Sequence, residues 1–299
     1  MTTDDFRRNS ENFCYRHPDR QSFVLCQRCL RTICPECQTP AAVGVICPEC
    51  LRDQQKAQSP AQRKAERRWS RPRAASAVAA GAPVVTYAII GVTAFVYLLT
   101  LIPGGFGDSV QSALLFFAPW LYPGLSGVFE PWRLLTVALV HSGIWHVGLN
   151  MLALYMIGRT LEPLLGRGRF LTLYVLSALG GSVAVTLLAF GTPVVGASGA
   201  IFGLFGALLV IGRHLGANIA GIAIVVGINL VIGFVPGMNV SWQAHVGGLV
   251  SGLVVAFIFT RTRGVRQRGL QIGLLVGVGA VLVALLFVPV LFPALVLGV

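Results

Sequence analysis

The chain has 299 residues, enough for two domains, yet 55% of it is hydrophobic and only 11% is charged, with a mean hydropathy of +0.74. Such values exclude an ordinary soluble globular protein and read as a multi-span membrane protein. The net charge of +12 would suggest nucleic acid in a soluble chain, but 14 of the 23 basic residues precede residue 80 and the others cluster between apolar runs. Topology accounts for them, and no nucleic-acid partner is expected.

The first 50 residues contain no apolar h-region, so no cleavable signal peptide is expected. They hold all seven cysteines, arranged as Cys14-x-x-His17, Cys26-x-x-Cys29, Cys34-x-x-Cys37 and Cys47-x-x-Cys50. Two residues between the members of a pair let both bite one tetrahedral metal ion, and eight ligands make two closed structural Zn²⁺ sites with no cysteine left over. A disulfide framework would not need His17 in the eighth place. So short a segment builds little core, and metal binding would supply most of its folding free energy. The pattern resembles a B-box-type zinc finger. That resemblance implies alternate pairing, with Cys14, His17, Cys34 and Cys37 on one zinc and Cys26, Cys29, Cys47 and Cys50 on the other; the spacing itself leaves sequential pairing open. Such modules bind proteins or hold a shape, so a protein partner for this one is an expectation.

Residues 1–52 form this module, and 53–82 read as a basic linker, helical in its first half, whose Arg and Lys residues would hold it near anionic headgroups. Seven apolar segments follow, near 84–102, 134–157, 170–190, 197–211, 216–235, 242–260 and 270–292. Each is long enough, or nearly so, to cross about 30 Å of hydrocarbon at about 1.5 Å per residue. The fourth reads as the shortest, which would sink the residue at its N-terminal end, Ser198, below the membrane surface. Basic residues follow the second, fourth and sixth segments, whereas the connections after the third and fifth carry no charge. The positive-inside rule then sets the N-terminus in the cytoplasm and the C-terminus outside, and a reducing cytoplasm suits zinc thiolates. The connection 103–133 carries Phe116, Phe117, Trp120, Leu121, Tyr122, Phe129 and Trp132, an aromatic set suited to the interface, and reads as a partly buried flap on the outer face and not a span.

Polar residues within spans are costly and by default functional. Here they are His141, His146 and Asn150 on the second segment, Ser198 heading the fourth and His245 on the sixth. His146 and Asn150, at i and i+4, leave one helix face. Gly199, Gly203 and Gly206 on the fourth segment match Gly248, Ser251 and Gly252 on the sixth as smooth stripes that permit close approach, bringing His245 toward Ser198. A hydroxyl beside a neutral imidazole is an activated nucleophile, and nearby donors stabilise an oxyanion. The only acids after residue 80, Asp108, Glu130 and Glu162, fall in connections, so the pair would act as a dyad. Gly196 is expected to loosen the loop entering at Ser198.

Glu130-Pro131-Trp132-Arg133, His141 through Asn150, Gly196-Ala197-Ser198-Gly199 and Ala244-His245-Val246-Gly247-Gly248 resemble, in order and spacing, the rhomboid family of intramembrane serine proteases. The resemblance covers about residues 84–260. It implies an all-α polytopic fold with a six-helix core, residues 83–262, and one added C-terminal helix, residues 263–299. It also implies Ser198 as nucleophile, His245 as general base, and His146, Asn150 and the Ser198 N–H as oxyanion hole. His141, Trp132, Arg133 and Glu162 would be structural supports, with Gly196, Gly199 and Gly248 at close approaches. Phe202 would pack on the base where many members have tyrosine. The expected protein sits in the plasma (inner) membrane, cuts single-pass transmembrane proteins near the outer face and needs no cofactor for catalysis. The alternative is a catalytically inactive relative that binds membrane proteins or serves their quality control.

Overall fold

A computed structural model describes residues 10–41, 44–57, 59, 82–235 and 240–294. The chain divides into two compact units, Met1–Ser76 and Ala77–Val299. Most of the expected linker, 53–82, lies outside the described residues.

In the first unit two short antiparallel ladders, β1 (Phe13–Cys14) with β2 (His17–Gln21) and β3 (Thr39–Pro40) with β4 (Val45–Ile46), precede helix α1 (Pro48–Ala57). Its buried centre is made of cysteines together with Ile33 and Ile46. The helix carries the basic segment as far as residue 57, in line with the expected helical start of the linker.

The second unit is helical. In chain order come α2 (Val84–Thr100), α3 (Phe106–Leu114), α4 (Pro123–Ser126), α5 (Arg133–Thr136), α6 (Ile144–Leu165), α7 (Arg167–Leu188), α8 (Ser198–His214), α9 (Ala220–Ile232), α10 (Trp242–Arg261), α11 (Arg268–Leu285) and α12 (Val288–Leu291). Among the described residues, α7, α10 and the stretch Arg268–Leu291 are each long and apolar enough to cross a membrane. Arg133–Leu139 and Ile144–Leu165, bent by 98°, make a fourth if taken as one span, while α2, α8 and α9 are shorter apolar helices. The protein is a multi-pass, all-α membrane protein with a small cysteine-rich unit before it.

Three expectations need correction. The second apolar segment is not one continuous helix: it breaks at 140–143, where Val140, His141, Ser142 and Gly143 leave the helical conformation. The shortest helix of the expected spans is α9, at 13 residues, and not α8, at 17. Glu162 does not lie in a connection, because α6 runs on to Leu165 and buries it.

That buried carboxylate has a structural reason. The first N–H groups of a helix have no partner within it, and Glu162 reaches from α6 to the head of α2. Its Oε1 accepts from Val85 N at 2.9 Å, and its Oε2 from Thr86 N and Thr86 Oγ1, both at 2.8 Å. At the same end of the core, Arg169 Nε donates to Gln271 Oε1 at 2.9 Å, and Gln271 Nε2 donates to Thr262 O at 2.9 Å, joining α7, α10 and α11.

The connection 101–132 is partly a packed core. Phe116, Leu121 and Tyr122 are buried against α7 and the 189–194 loop, and Phe116 exchanges backbone hydrogen bonds with Val194. Only Phe129 and Trp132 of the expected interfacial aromatics stay well exposed. Buried Arg133 organises this layer: it pairs with Glu130, donates to the carbonyls of Ser112 and Leu115, and lies under the Trp120 ring at 4.3 Å. Trp132 Nε1 reaches Ala113 O at 3.5 Å.

α7, α8 and α10 pack directly on one another, and α10 meets both of the others closely. A Cβ on Gly248 would overlap the Gly199 carbonyl, and one on Gly252 would overlap Gly203, so backbone meets backbone across this crossing. Lipid tails are as apolar as leucine, and such small-residue contacts therefore supply the association that hydrophobic burial would supply in water. Ser251 departs from the expected stripe, facing Gly180 of α7 instead.

Candidate functional site

Ser198 is the first residue of α8, entered through Gly196 at φ +120° and Ala197. It is half-buried and lines a cavity of about 580 Å³ together with His146, Asn150, Gly199, Phe202 and His245. Groups from α6, α8 and α10 thus converge on one space.

His245 is buried, and its ring stacks on Phe202 at 4.0 Å with 11° between planes. Its Nδ1 is buried with no hydrogen-bond partner among the described residues. A flat aromatic face therefore orients the imidazole, where many Ser–His pairs use a carboxylate.

His146 is oriented by a residue that the sequence reading passed over. Ser142 N donates to His146 Nδ1 at 3.4 Å, and the Ser142 hydroxyl lies 3.0 Å from the same atom. An Nδ1 that accepts from a backbone N–H assigns the proton of a neutral ring to Nε2. That Nε2 lies 2.7 Å from where a Cβ on Gly196 would sit, which with the positive φ explains the glycine. Gly196 leaves room for this ring, and its N–H is held by Val137 O at 3.0 Å. The signal for Ser142 was its position in the polar His-Ser-Gly interruption just ahead of α6.

Asn150 is buried, and its Nδ2 donates to His146 O at 2.8 Å, leaving its second N–H for the cavity. His141 stands edge-on to His146 at 4.9 Å, and its Nε2 accepts from Ala197 N at 3.3 Å, so it fixes the turn that delivers Ser198. Trp132, Arg133 and Glu162 are remote from this cavity and act on the framework described above.

In the first unit the eight ligand candidates form two groups, Cys14/His17/Cys34/Cys37 and Cys26/Cys29/Cys47/Cys50, with ligand atoms within 4.8 Å of one another in each. His17 Nδ1 is 3.8, 3.3 and 3.4 Å from the sulfurs of Cys14, Cys34 and Cys37, and Cys29 Sγ is 3.7 Å from Cys47 Sγ. A tetrahedron with metal–sulfur bonds of about 2.3 Å has edges of about 3.8 Å. The donors fit a metal ion in each group, and alternate pairs come together.

The fold and cavity define a polytopic helical membrane protein with a serine and a histidine, from different helices, facing one buried space. Residues 128–262 match the Rhomboid domain family. The chain is 37% identical over 184 residues to rhomboid protease GluP of Bacillus subtilis, covering 59% of this chain and 35% of that protein. It is 39% identical over 137 residues to RHOMBOID-like protein 1 of Arabidopsis thaliana, covering 44% and 35%. Against the putative rhomboid protease YdcA of Bacillus subtilis it is 34% identical over 137 residues, covering 43% and 67%. The matched region spans about a third of the length of the first two relatives. The chain belongs to the rhomboid family.

Proposed function

We propose that the protein is an intramembrane serine endopeptidase that cuts transmembrane segments of single-pass proteins near the extracytoplasmic face, and that its first unit holds two structural Zn²⁺ ions. The observation that carries the reading is the convergence of Ser198, His245, His146 and Asn150 on one cavity. Ser198 Oγ attacks the scissile carbonyl carbon while a neutral ring nitrogen of His245 takes its proton. The oxyanion is met by the proposed Nε2–H of His146, the second N–H of Asn150 and the Ser198 backbone N–H, which as the first N–H of α8 is not used within the helix. Collapse of the tetrahedral species breaks the C–N bond, His245 returns the proton to the leaving amine, and water deacylates the serine by the same route in reverse. The stack on Phe202 supports a dyad, since it holds the base without an acid.

The proposed organisation is a zinc module over 1–52, a basic linker over 53–82, a six-span core over 83–262 and a seventh span within 263–299. The proposed location is the plasma (inner) membrane, N-terminus cytoplasmic and C-terminus outside, on the strength of the basic connections. Zinc is favoured by the all-thiolate and thiolate–imidazole donor sets, which suit a borderline-soft ion in closed tetrahedral sites.

Protein purified in detergent should cut a reporter transmembrane substrate, and Ser198→Ala and His245→Ala should each abolish cutting while thermal unfolding stays unchanged. Cutting that survives in either variant would sink the dyad.

A further inference from the structure

The two metal-ligand groups differ in charge. Three thiolates and a neutral imidazole around a divalent ion leave one net negative charge, and four thiolates leave two. Among the described residues a guanidinium donates to ligand sulfurs in only the second of them.

Arg31 belongs to a tight turn. Leu25 pairs with Thr32, Cys26 N donates to Arg31 O at 2.9 Å, and Leu30 closes the loop at φ +60° with its N–H on Cys26 O at 2.8 Å. This turn returns the chain so that Arg31 lies over the ligands that precede and follow it. Its Nε is 3.3 Å from Cys29 Sγ and its Nη2 is 3.9 Å from Cys47 Sγ. The guanidinium is stacked 4.1 Å over the Tyr15 ring, and Nη2 is 3.8 Å from Glu49 Oε2. Cys29 is also the one half-exposed cysteine of the seven, the others being buried. The most accessible thiolate is the one that Arg31 covers.

The other group is served differently. Arg20, the arginine on its strand β2, gives its guanidinium to Glu36 at 2.5 Å. Among the described residues no guanidinium donates to the sulfur of Cys14, Cys34 or Cys37.

We infer that Arg31 is the counter-charge of the all-cysteine metal centre, a positioning residue that shields the Cys29 and Cys47 thiolates, so that the two metal ions depend unequally on this one side chain. The inference rests on the zinc reading above. A charge-assisted contact to a ligand tunes both affinity and ligand reactivity, and losing such a partner costs about 10- to 100-fold in metal affinity. Because the Arg31 side chain is 46% exposed, water screens part of its charge and the effect should fall near the lower figure.

The test uses the full chain in detergent, with bound zinc counted by elemental analysis. Arg31→Met and Arg31→Lys are then challenged with a chelating dye while cysteine alkylation is followed by mass spectrometry. In Arg31→Met, one of two zinc equivalents should leave about ten-fold faster than in the parent protein. Cys26, Cys29, Cys47 and Cys50 should be alkylated first and Cys14, Cys34 and Cys37 last. Arg31→Lys, which keeps the charge without the fork, should fall between. Unchanged release in Arg31→Met from a protein that holds two zinc ions would overturn the inference and leave the zinc reading standing. Simultaneous alkylation of all seven cysteines would also overturn it, since a general loosening has no preferred centre. A parent protein without zinc would remove the zinc reading and this inference together.

Discussion

Gly248→Ala tests the packing that brings His245, the proposed base, to Ser198, the proposed nucleophile. A Cβ at Gly248 would overlap the backbone carbonyl of Gly199, directly after Ser198, and a backbone carbonyl in a helix cannot swing aside as a side chain can. To reach ordinary contact of about 3.5 Å between the new methyl and that oxygen, α8 and α10 must separate by about 1 Å or more. Overpacking of this kind costs about 1–3 kcal/mol. The same shift moves His245, three residues before Gly248, away from Ser198, and a displacement of about 1 Å at a reacting pair costs about 100-fold in rate. The control is Gly277→Ala on α11, where a Cβ meets nothing within 4 Å; there the substitution should be neutral or stabilising by up to about 1 kcal/mol through helix propensity. Reporter cleavage and thermal unfolding should be measured on both variants in one detergent. If Gly248→Ala cuts at the parent rate and unfolds at the parent temperature, the close crossing does not position the site and the reasoning fails.

The remaining predictions concern the base, its platform and the α2 cap. A general base must be neutral, so cleavage should fall as pH drops through the histidine range near about 6.5 and hold above it; a flat rate from about pH 8 to about pH 5 would contradict the role of His245. Phe202→Tyr keeps the flat face under His245 and should cut at nearly the parent rate, whereas Phe202→Leu fills similar space without it and should lose kcat more than it raises KM. Equal kcat in the two variants would remove the stacking argument. Glu162→Ala strands the N–H groups of Val85 and Thr86 at the head of α2 and should destabilise the fold by about 1–3 kcal/mol, seen as a lower unfolding temperature. Glu162→Gln, which still accepts hydrogen bonds, should recover part of the loss, and no difference between the two would show that the cap carries nothing.

Much of this protein is legible without coordinates because the controlling physics is local. A Cys-x-x-Cys pair reaches one ion by its own spacing, and an apolar run long enough for a bilayer must satisfy its backbone within itself, so a helix occurs at each of the seven apolar segments. The cost of polar groups in such runs singled out His141, His146, Asn150, Ser198 and His245, all of which lie in or beside the cavity. Where the outcome depended on what lies across a gap, the sequence was silent or misleading. Which cysteine pairs come together depends on how β1, β2 and the Leu25–Thr32 turn fold back on one another, and no spacing encodes that. The break at 140–143 is decided by the loops it feeds, since Arg133 and Trp132 anchor one side to the carbonyls of 112–115 and the Ser142 to His146 contact orients the other. Glu162 looked like a residue in a connection because charge is expected there, yet the unpaired head of α2 made a buried carboxylate the better arrangement. The approach of the His146 ring to Gly196 is likewise invisible in the spacing: local chemistry selects the polar groups, and the packing of α7, α8 and α10 decides what they can reach.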